Sequence, residues 1–85
     1  MTPYQHNPST PDASILQQLV PPTGMKMPFG KYKEYFLCDL PVAYLEWFHE
    51  RGFPKGKLGM LLSTIYEIKI NGLMHLLEPL KKNKW

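Results

Sequence analysis

Apolar positions recur at helical spacing in three segments of the chain, and the first segment follows a helix-start signal. Residues Thr10-Pro11-Asp12 combine a capping hydroxyl, a proline at the first helical position and an acid near the positive end of the helix dipole. Pro21-Pro22 ends the pattern, because proline disfavours helical geometry in the residue before it. The apolar stripe of this predicted helix consists of Ile15, Leu16, Leu19 and Val20.

The second helical pattern begins near Pro41. We expect Asp39 to cap this helix through its carboxylate and Pro41 to lie in the first turn, where its missing N–H is harmless. Gly52 is expected to end the helix in a left-handed conformation. A residue after such a glycine often packs back on the last turn, so Phe53 should contact Phe48.

The third helical pattern is the longest and runs from Leu58 to beyond Ile68. Asn71-Gly72 should end or bend this helix, and a short leucine-rich continuation precedes Pro79. The residues expected to supply most of the core are Trp47, Phe48, Phe53, Leu58, Leu61, Leu62 and Ile65.

Between the first two helices the chain is too short and too rich in glycine and lysine for another helix. We interpret Lys26–Phe29 and Tyr32–Phe36 as extended arms around Gly30-Lys31, where glycine permits a tight turn. The predicted fold class is therefore α+β and mostly helical, with three principal helices and one short β-hairpin. The chain has 85 residues, enough for one domain. Along the chain we expect a flexible arm (1–9), an N-terminal helix with a proline linker (10–24), the compact domain itself (25–80) and a basic tail (81–85).

From residue 27 to about residue 80 the chain carries a series of short motifs. They are Met27-Pro28-Phe29-Gly30-Lys31-Tyr32-Lys33, Leu37, Asp39-Leu40-Pro41, Tyr44-Leu45, Trp47-Phe48, Gly52-Phe53-Pro54, Gly56, Leu58-Gly59 and Glu67-Ile68-Lys69-Ile70-Asn71-Gly72-Leu73. In these residues the chain resembles a family of small uncharacterised bacterial proteins described as putative quorum-sensing-regulated virulence factors. The turn Pro28–Lys33 and the helix start at Leu40 are also similar to the small C-terminal module of exonuclease X-type nucleases.

The resemblance implies a fold and a regulatory association more than a reaction. The similarity to a nuclease module implies contact with nucleic acid. The chain departs from the family pattern at Glu34, where the family usually has glycine, and at Tyr35, where it usually has a basic residue. Both departures lower the positive charge of the turn.

Composition and charge argue against a secreted, a disulfide-bonded and a membrane-spanning protein. The net charge is +3, and the lysines at 81, 82 and 84 account for it, so the rest of the chain is neutral overall. The chain shows no signal-peptide pattern and no apolar run of the roughly 20 residues that span a bilayer. One cysteine, Cys38, cannot form an internal disulfide, which fits a reducing compartment. We therefore expect a cytoplasmic protein without membrane contact.

Catalytic chemistry is not indicated. His6, His49 and His75 stand far apart, and one cysteine cannot build a zinc site, so we expect no metal and no cofactor. The acid-x-lysine pair Glu67 and Lys69 lies in a helical pattern, where residues two apart diverge by about 200° and cannot share a metal site. The prediction is a protein that is not an enzyme.

Two functions remain open. The first is an accessory or regulatory module that acts through a protein partner or self-association, with the apolar stripe Ile15, Leu16, Leu19 and Val20 as its candidate contact. The alternative is a module that binds single-stranded nucleic acid, because lysines bind phosphates and exposed rings stack on bases. The candidate residues for that contact are Lys31, Tyr32, Lys33, Lys55 and Lys57.

Overall fold

The computed structural model describes residues 13–80 and is mostly helical there, as the sequence predicts. The predicted arm (1–9), the predicted tail (81–85) and the start of the first helix lie outside the described residues. Three α-helices run in chain order: α1 (Ala13–Gln17), α2 (Val42–Arg51) and α3 (Gly56–Ile70). Short 3-10 turns occur at Leu37–Asp39, Met74–Leu76 and Glu78–Leu80.

Helix α1 ends at Gln17, several residues before the two prolines. The Gln18 and Leu19 amides donate to carbonyls three residues back, both at 3.0 Å, so the chain tightens into turns. The Cys38 amide donates to the Leu19 carbonyl at 3.0 Å and ties this segment to the rest of the domain. Leu16, Leu19 and Val20 are buried there, so the apolar stripe of the predicted first helix packs into the core.

The start of α2 differs from the prediction. Asp39 belongs to the preceding 3-10 turn, and Pro41 is the residue just before the helix, with no side-chain cap. Proline can occupy that place because the extended geometry there suits its φ of −65°. The predicted end is confirmed: Gly52 has φ 103°, and its amide donates to the Phe48 carbonyl at 2.7 Å. The rings of Phe48 and Phe53 stack with centroids 6.3 Å apart, also as predicted.

Helix α3 is the longest element and packs against α2. It ends as predicted, at Asn71 and Gly72, with the Leu73 amide donating to the Ile68 carbonyl at 2.9 Å and Gly72 at φ 68°. Near its start, a Cβ added to Gly59 would lie 1.6 Å from the Pro54 carbonyl oxygen. Only glycine therefore allows the α2–α3 loop to pass so close to the helix.

The predicted β-hairpin is wrong. In residues 13–80 the segment holds a single antiparallel bridge, between Lys26 and Phe36. The Glu34 amide donates to the Met27 carbonyl, and the Met27 amide donates to the Tyr35 carbonyl, both at 2.8 Å. Two residues thus face one, which is the pattern of a β-bulge with its first residue at positive φ (75° at Glu34). Successive turns occupy the rest of the segment, so too few residues remain to form strands.

The core is aliphatic, which corrects the expectation of a ring-filled core. Leu61, Leu62 and Ile65 are fully buried and Phe48 nearly so, as predicted, while Phe53 and Leu58 are half-buried. Trp47 was expected inside but is 49% exposed. The fully buried side chains that sequence analysis left out are Leu19, Val20, Met27, Leu37, Leu40, Leu45, Ile68 and Leu77. Of the helices in the described residues, none has the length and apolar character to cross a bilayer.

Candidate functional site

An open groove of about 620 Å³ lies between the turn after Pro28 and one face of α2. We call it the aromatic groove, since rings form most of its wall. Phe29 and Trp47 are 46% and 49% exposed at this site, so large apolar surface faces solvent. The lining residues are Phe29, Gly30, Lys31, Tyr32, Pro41, Ala43, Tyr44, Trp47 and Phe48.

Ring-to-ring contacts hold the wall of the aromatic groove in place. Tyr44 lies at the centre, with its centroid 4.7 Å from Tyr32 and 5.2 Å from Phe48. Trp47 contacts Phe48 edge to face at 5.1 Å, with the two planes 81° apart. Such pairs contribute about 0.5–1.5 kcal/mol each beyond their buried area. These four rings therefore support one another, and Tyr44 and Trp47 are steeply inclined to Phe48.

Gly30 brings the turn against Tyr44. Its φ is 81°, which favours glycine, and an added Cβ would lie 3.0 Å from the Tyr44 hydroxyl oxygen. Partial burial raises the pKa of the Tyr44 hydroxyl above its usual value, and negative charge on Tyr32 would raise that pKa further. Tyr44 is therefore a neutral hydroxyl at physiological pH, able to donate a hydrogen bond.

Cations flank the aromatic groove, and no carboxylate lines it. The Lys31 ammonium lies 5.6 Å from the centroid of the Tyr32 ring. Outside the lining, the Arg51 guanidinium lies 4.6 Å from the centroid of Trp47. Both are within cation–π range and hold positive charge beside the rings. The site therefore favours a ligand with an apolar part for the rings, hydrogen-bond acceptors for the hydroxyls and a negatively charged group for the cations.

The predicted nucleic-acid residues are divided by the fold. Lys31 and Tyr32 line the aromatic groove. Lys33 is exposed on the same turn but does not line it. Lys55 and Lys57 are exposed at the start of α3, away from the groove lining. The arrangement thus brings two of the five candidates together.

The predicted protein-contact stripe lies against its own domain. Leu19 and Val20 are at most 1% exposed, Leu16 is 7% exposed, and Ile15 packs against the same cluster while half-buried. A partner could reach these residues only if α1 left the core. The predicted contact through α1 stays a prediction, and the exposed apolar surface of the described residues lies elsewhere.

Sequence reasoning did not predict that Phe29, Pro41, Tyr44 and Trp47 line one groove. The signal was present in the spacing of α2. Tyr44, Trp47 and Arg51 are three and four residues apart, which places them on one stripe of the helix. Leu45 and Phe48 form the neighbouring buried stripe. Because Trp47 was assigned to the core, the exposed stripe to which it belongs was not recognised.

Residues 13–80 contain no group of three histidine, cysteine, aspartate or glutamate side chains placed to hold a metal ion. The thiol of Cys38 is buried beside Asp39, with its sulfur 3.8 Å from a carboxylate oxygen. The aromatic groove itself offers rings, hydroxyls and one ammonium group, which suits binding by contact and hydrogen bonding.

Comparison with known proteins identifies relatives. The chain matches the family described as "Putative quorum-sensing-regulated virulence factor" over residues 12–80. It is 48% identical over 67 residues to "Uncharacterized protein YpeB" of Escherichia coli strain K12, covering 78% of this chain and 93% of that protein. The protein of the same name from Escherichia coli O157:H7 gives the same values. No solved structure matches the chain. The chain therefore belongs to the family that carries this description, as its sequence resemblance predicts.

Proposed function

We propose that this protein is a non-enzymatic accessory module that binds a protein partner through the aromatic groove. The exposed indole of Trp47 at this groove is the observation that carries the proposal. Tryptophan, tyrosine and arginine are the residues that most often dominate binding energy at protein interfaces. A reducing cytoplasm is the compartment that we propose, because Cys38 is the one cysteine in the sequence.

The geometry supports binding more than it supports a reaction. The rings are held by their neighbours at fixed angles, so little conformational entropy is lost when a ligand docks on them. The volume of about 620 Å³ lies in the range of about 300–1,000 Å³ typical of binding sites. A short peptide segment fits such a site better than a flat protein surface does.

A display library of random peptides tests the proposal. It is selected on the wild-type protein and counter-selected on Trp47→Ala, with Ile70→Ala as matched control because Ile70 is also exposed (48%) but lies outside the groove lining. We expect enriched peptides that lose affinity about thirtyfold on Trp47→Ala and retain it on Ile70→Ala. Failure to enrich any peptide that distinguishes the two variants contradicts the proposal. Light scattering on the same samples shows whether a second copy of the chain is the partner.

Nucleic-acid binding is the second candidate, and the turn Lys31–Tyr35 favours it. Tyr35 is 49% exposed and contacts Tyr32 edge to face at 5.3 Å, beside the ammonium of Lys31. Unstacked bases bind such rings for about 1–3 kcal/mol each. From its sequence this turn also resembles the C-terminal module of exonuclease X-type nucleases, and that resemblance implies the same function.

Single-stranded oligonucleotides test this second function. Binding through Lys31 should weaken as salt rises, because each phosphate contact releases counterions. We expect Lys31→Gln to weaken binding and to flatten its salt dependence, with Lys69→Gln in α3 as the control at a lysine that is not a candidate contact. Affinity that is absent at low salt, or equal in wild type and Lys31→Gln, excludes this function for the turn.

A further inference from the structure

We infer that the ligand of the aromatic groove is a proline-rich segment of a partner protein, in polyproline II conformation and flanked by an acidic residue. This inference rests on the proposed protein-binding function. It is argued from the hydrogen-bonding capacity, the ring geometry and the charge of the groove.

The hydrogen-bonding capacity of the groove is complementary to a proline-rich chain. Within residues 13–80 no intramolecular hydrogen bond occupies the side-chain donors of Tyr32, Tyr44 or Trp47. The Lys31 ammonium and the Trp47 indole N–H can only donate. Proline residues have carbonyl acceptors and no N–H, and polyproline II leaves those carbonyls without internal partners. Each of these side-chain donors therefore has a matching acceptor in such a ligand.

The ring geometry favours polyproline II over the other peptide conformations. The planes of Tyr44 and Trp47 each stand 81° from the plane of Phe48, which leaves inclined slots between ring faces. Polyproline ligands dock on aromatic-lined grooves of this kind. Addition of a strand needs an exposed sheet edge, and the described residues form one isolated bridge instead. An amphipathic helix docks through a continuous apolar face, whereas Lys31 and two tyrosines interrupt the apolar lining of this groove.

The charged groups beside the groove indicate which residue should flank the proline-rich segment of the ligand. Lys31 lines the groove, Arg51 lies over Trp47, and no described carboxylate lines the site. An acidic group on the ligand gains a charge-assisted contact at either cation, while a basic group meets repulsion. An acidic proline-rich segment is therefore favoured over a neutral or basic one.

The test uses Trp47 fluorescence and synthetic probes on the full chain carrying Trp85→Phe, so that Trp47 is its one tryptophan. The probes are a proline-rich peptide with a flanking aspartate, the same peptide with lysine in place of aspartate, a glycine–serine peptide with aspartate, and oligothymidine. We expect the first probe to bind tightest and the glycine–serine peptide to leave the emission unchanged. Lys31→Gln should weaken the first probe severalfold, and Lys57→Gln should not.

Three results in the comparison of probes overturn the inference. The first is equal affinity for the proline and glycine–serine peptides, and the second is tighter binding of the lysine probe. The third is binding of oligothymidine in preference to every peptide, which favours the nucleic-acid function. If the proline probe fails while display-selected peptides still distinguish Trp47→Ala, the inference fails and the proposed function stands. If neither binds, the proposed function fails as well.

Discussion

The aliphatic core and the aromatic groove share helix α2 but use its residues in opposite ways. On one face, Leu45 is fully buried, and α2 packs against α3. On the neighbouring face, Trp47 leaves half of its surface in solvent. Aliphatic side chains fill most of the interior of this small domain, together with the buried rings of Phe48 and Tyr66, while exposed rings such as Phe29 and Trp47 lie outside it.

The difference teaches that ring content alone does not locate a core. A domain of this length buries only about 60% of its unfolded surface, which suggests that large rings should fill its interior. The structure instead builds the interior from compact aliphatic side chains that interdigitate between helices. Rings such as Phe29 and Trp47 are then free to serve an external surface. Stability should depend on the core and binding on the groove.

Truncation on the two faces of α2 should separate stability from binding. Leu45→Ala removes a fully buried side chain and should lower the free energy of unfolding by about 2–5 kcal/mol. Trp47→Ala should lower it by less, about 1–2 kcal/mol, because half of the indole is already in water and only the other half packs against Phe48. Urea unfolding followed by far-ultraviolet circular dichroism measures both. Equal losses would show that the two faces of α2 do not differ as the structure indicates.

Substitution of two glycines compares the two regions at the backbone, since Gly59 lies in α3 and Gly30 lines the aromatic groove. Gly59→Ala drives a methyl group into the Pro54 carbonyl, which cannot move without shifting the loop, and should cost about 3 kcal/mol. Gly30→Ala should cost about 1–2 kcal/mol, the penalty of a left-handed residue, since its neighbour is the far end of a side chain. Thermal unfolding of both variants tests the order. A Gly30 variant that is less stable than the Gly59 variant would reverse the account.

Replacement at the bulge should stabilise the protein. Glu34 has φ 75°, a conformation that costs a non-glycine residue about 1–2 kcal/mol. Glu34→Gly removes that strain at the expense of a more flexible unfolded chain, for a net gain of about 0.5–1 kcal/mol. Glu50→Gly is the contrasting variant, because it places glycine inside α2 and should destabilise by a similar amount. A loss of stability in Glu34→Gly would show that the positive φ is not strained.

The smallest expected effect is the titration of Tyr44. Its pKa is raised above 10.0 because burial disfavours the charged form. The folded protein therefore holds this proton more tightly than the unfolded chain does. That contribution to stability is complete below pH 10.0 and is lost as the pH rises through the folded-state pKa.

Tyrosinate absorbance measures this effect. The difference between wild type and Tyr44→Phe isolates one hydroxyl, whose ionisation should occur above pH 10.0. Titration at or below that pH would show that Tyr44 is not shielded by the turn at Gly30.

The helices were predictable where local signals agreed with packing. The glycines that end α2 and α3, the stacking of Phe53 on Phe48, and the aliphatic stripe of α3 all follow from short-range rules. The prediction that Asp39 caps α2 was wrong because Asp39 belongs to the 3-10 turn that precedes the helix. The groove was hidden for a different reason. Its walls come from residues that are distant in sequence, and helical spacing cannot say which of two apolar stripes faces the core.

Fluorescence of Trp47 tests the central claim most directly. In the Trp85→Phe protein it is the one tryptophan, and its indole is half exposed. We predict emission close to that of tryptophan in water and ready quenching by acrylamide before any urea is added. Blue-shifted emission that acrylamide reaches only after unfolding would place Trp47 in the core and contradict an external aromatic groove.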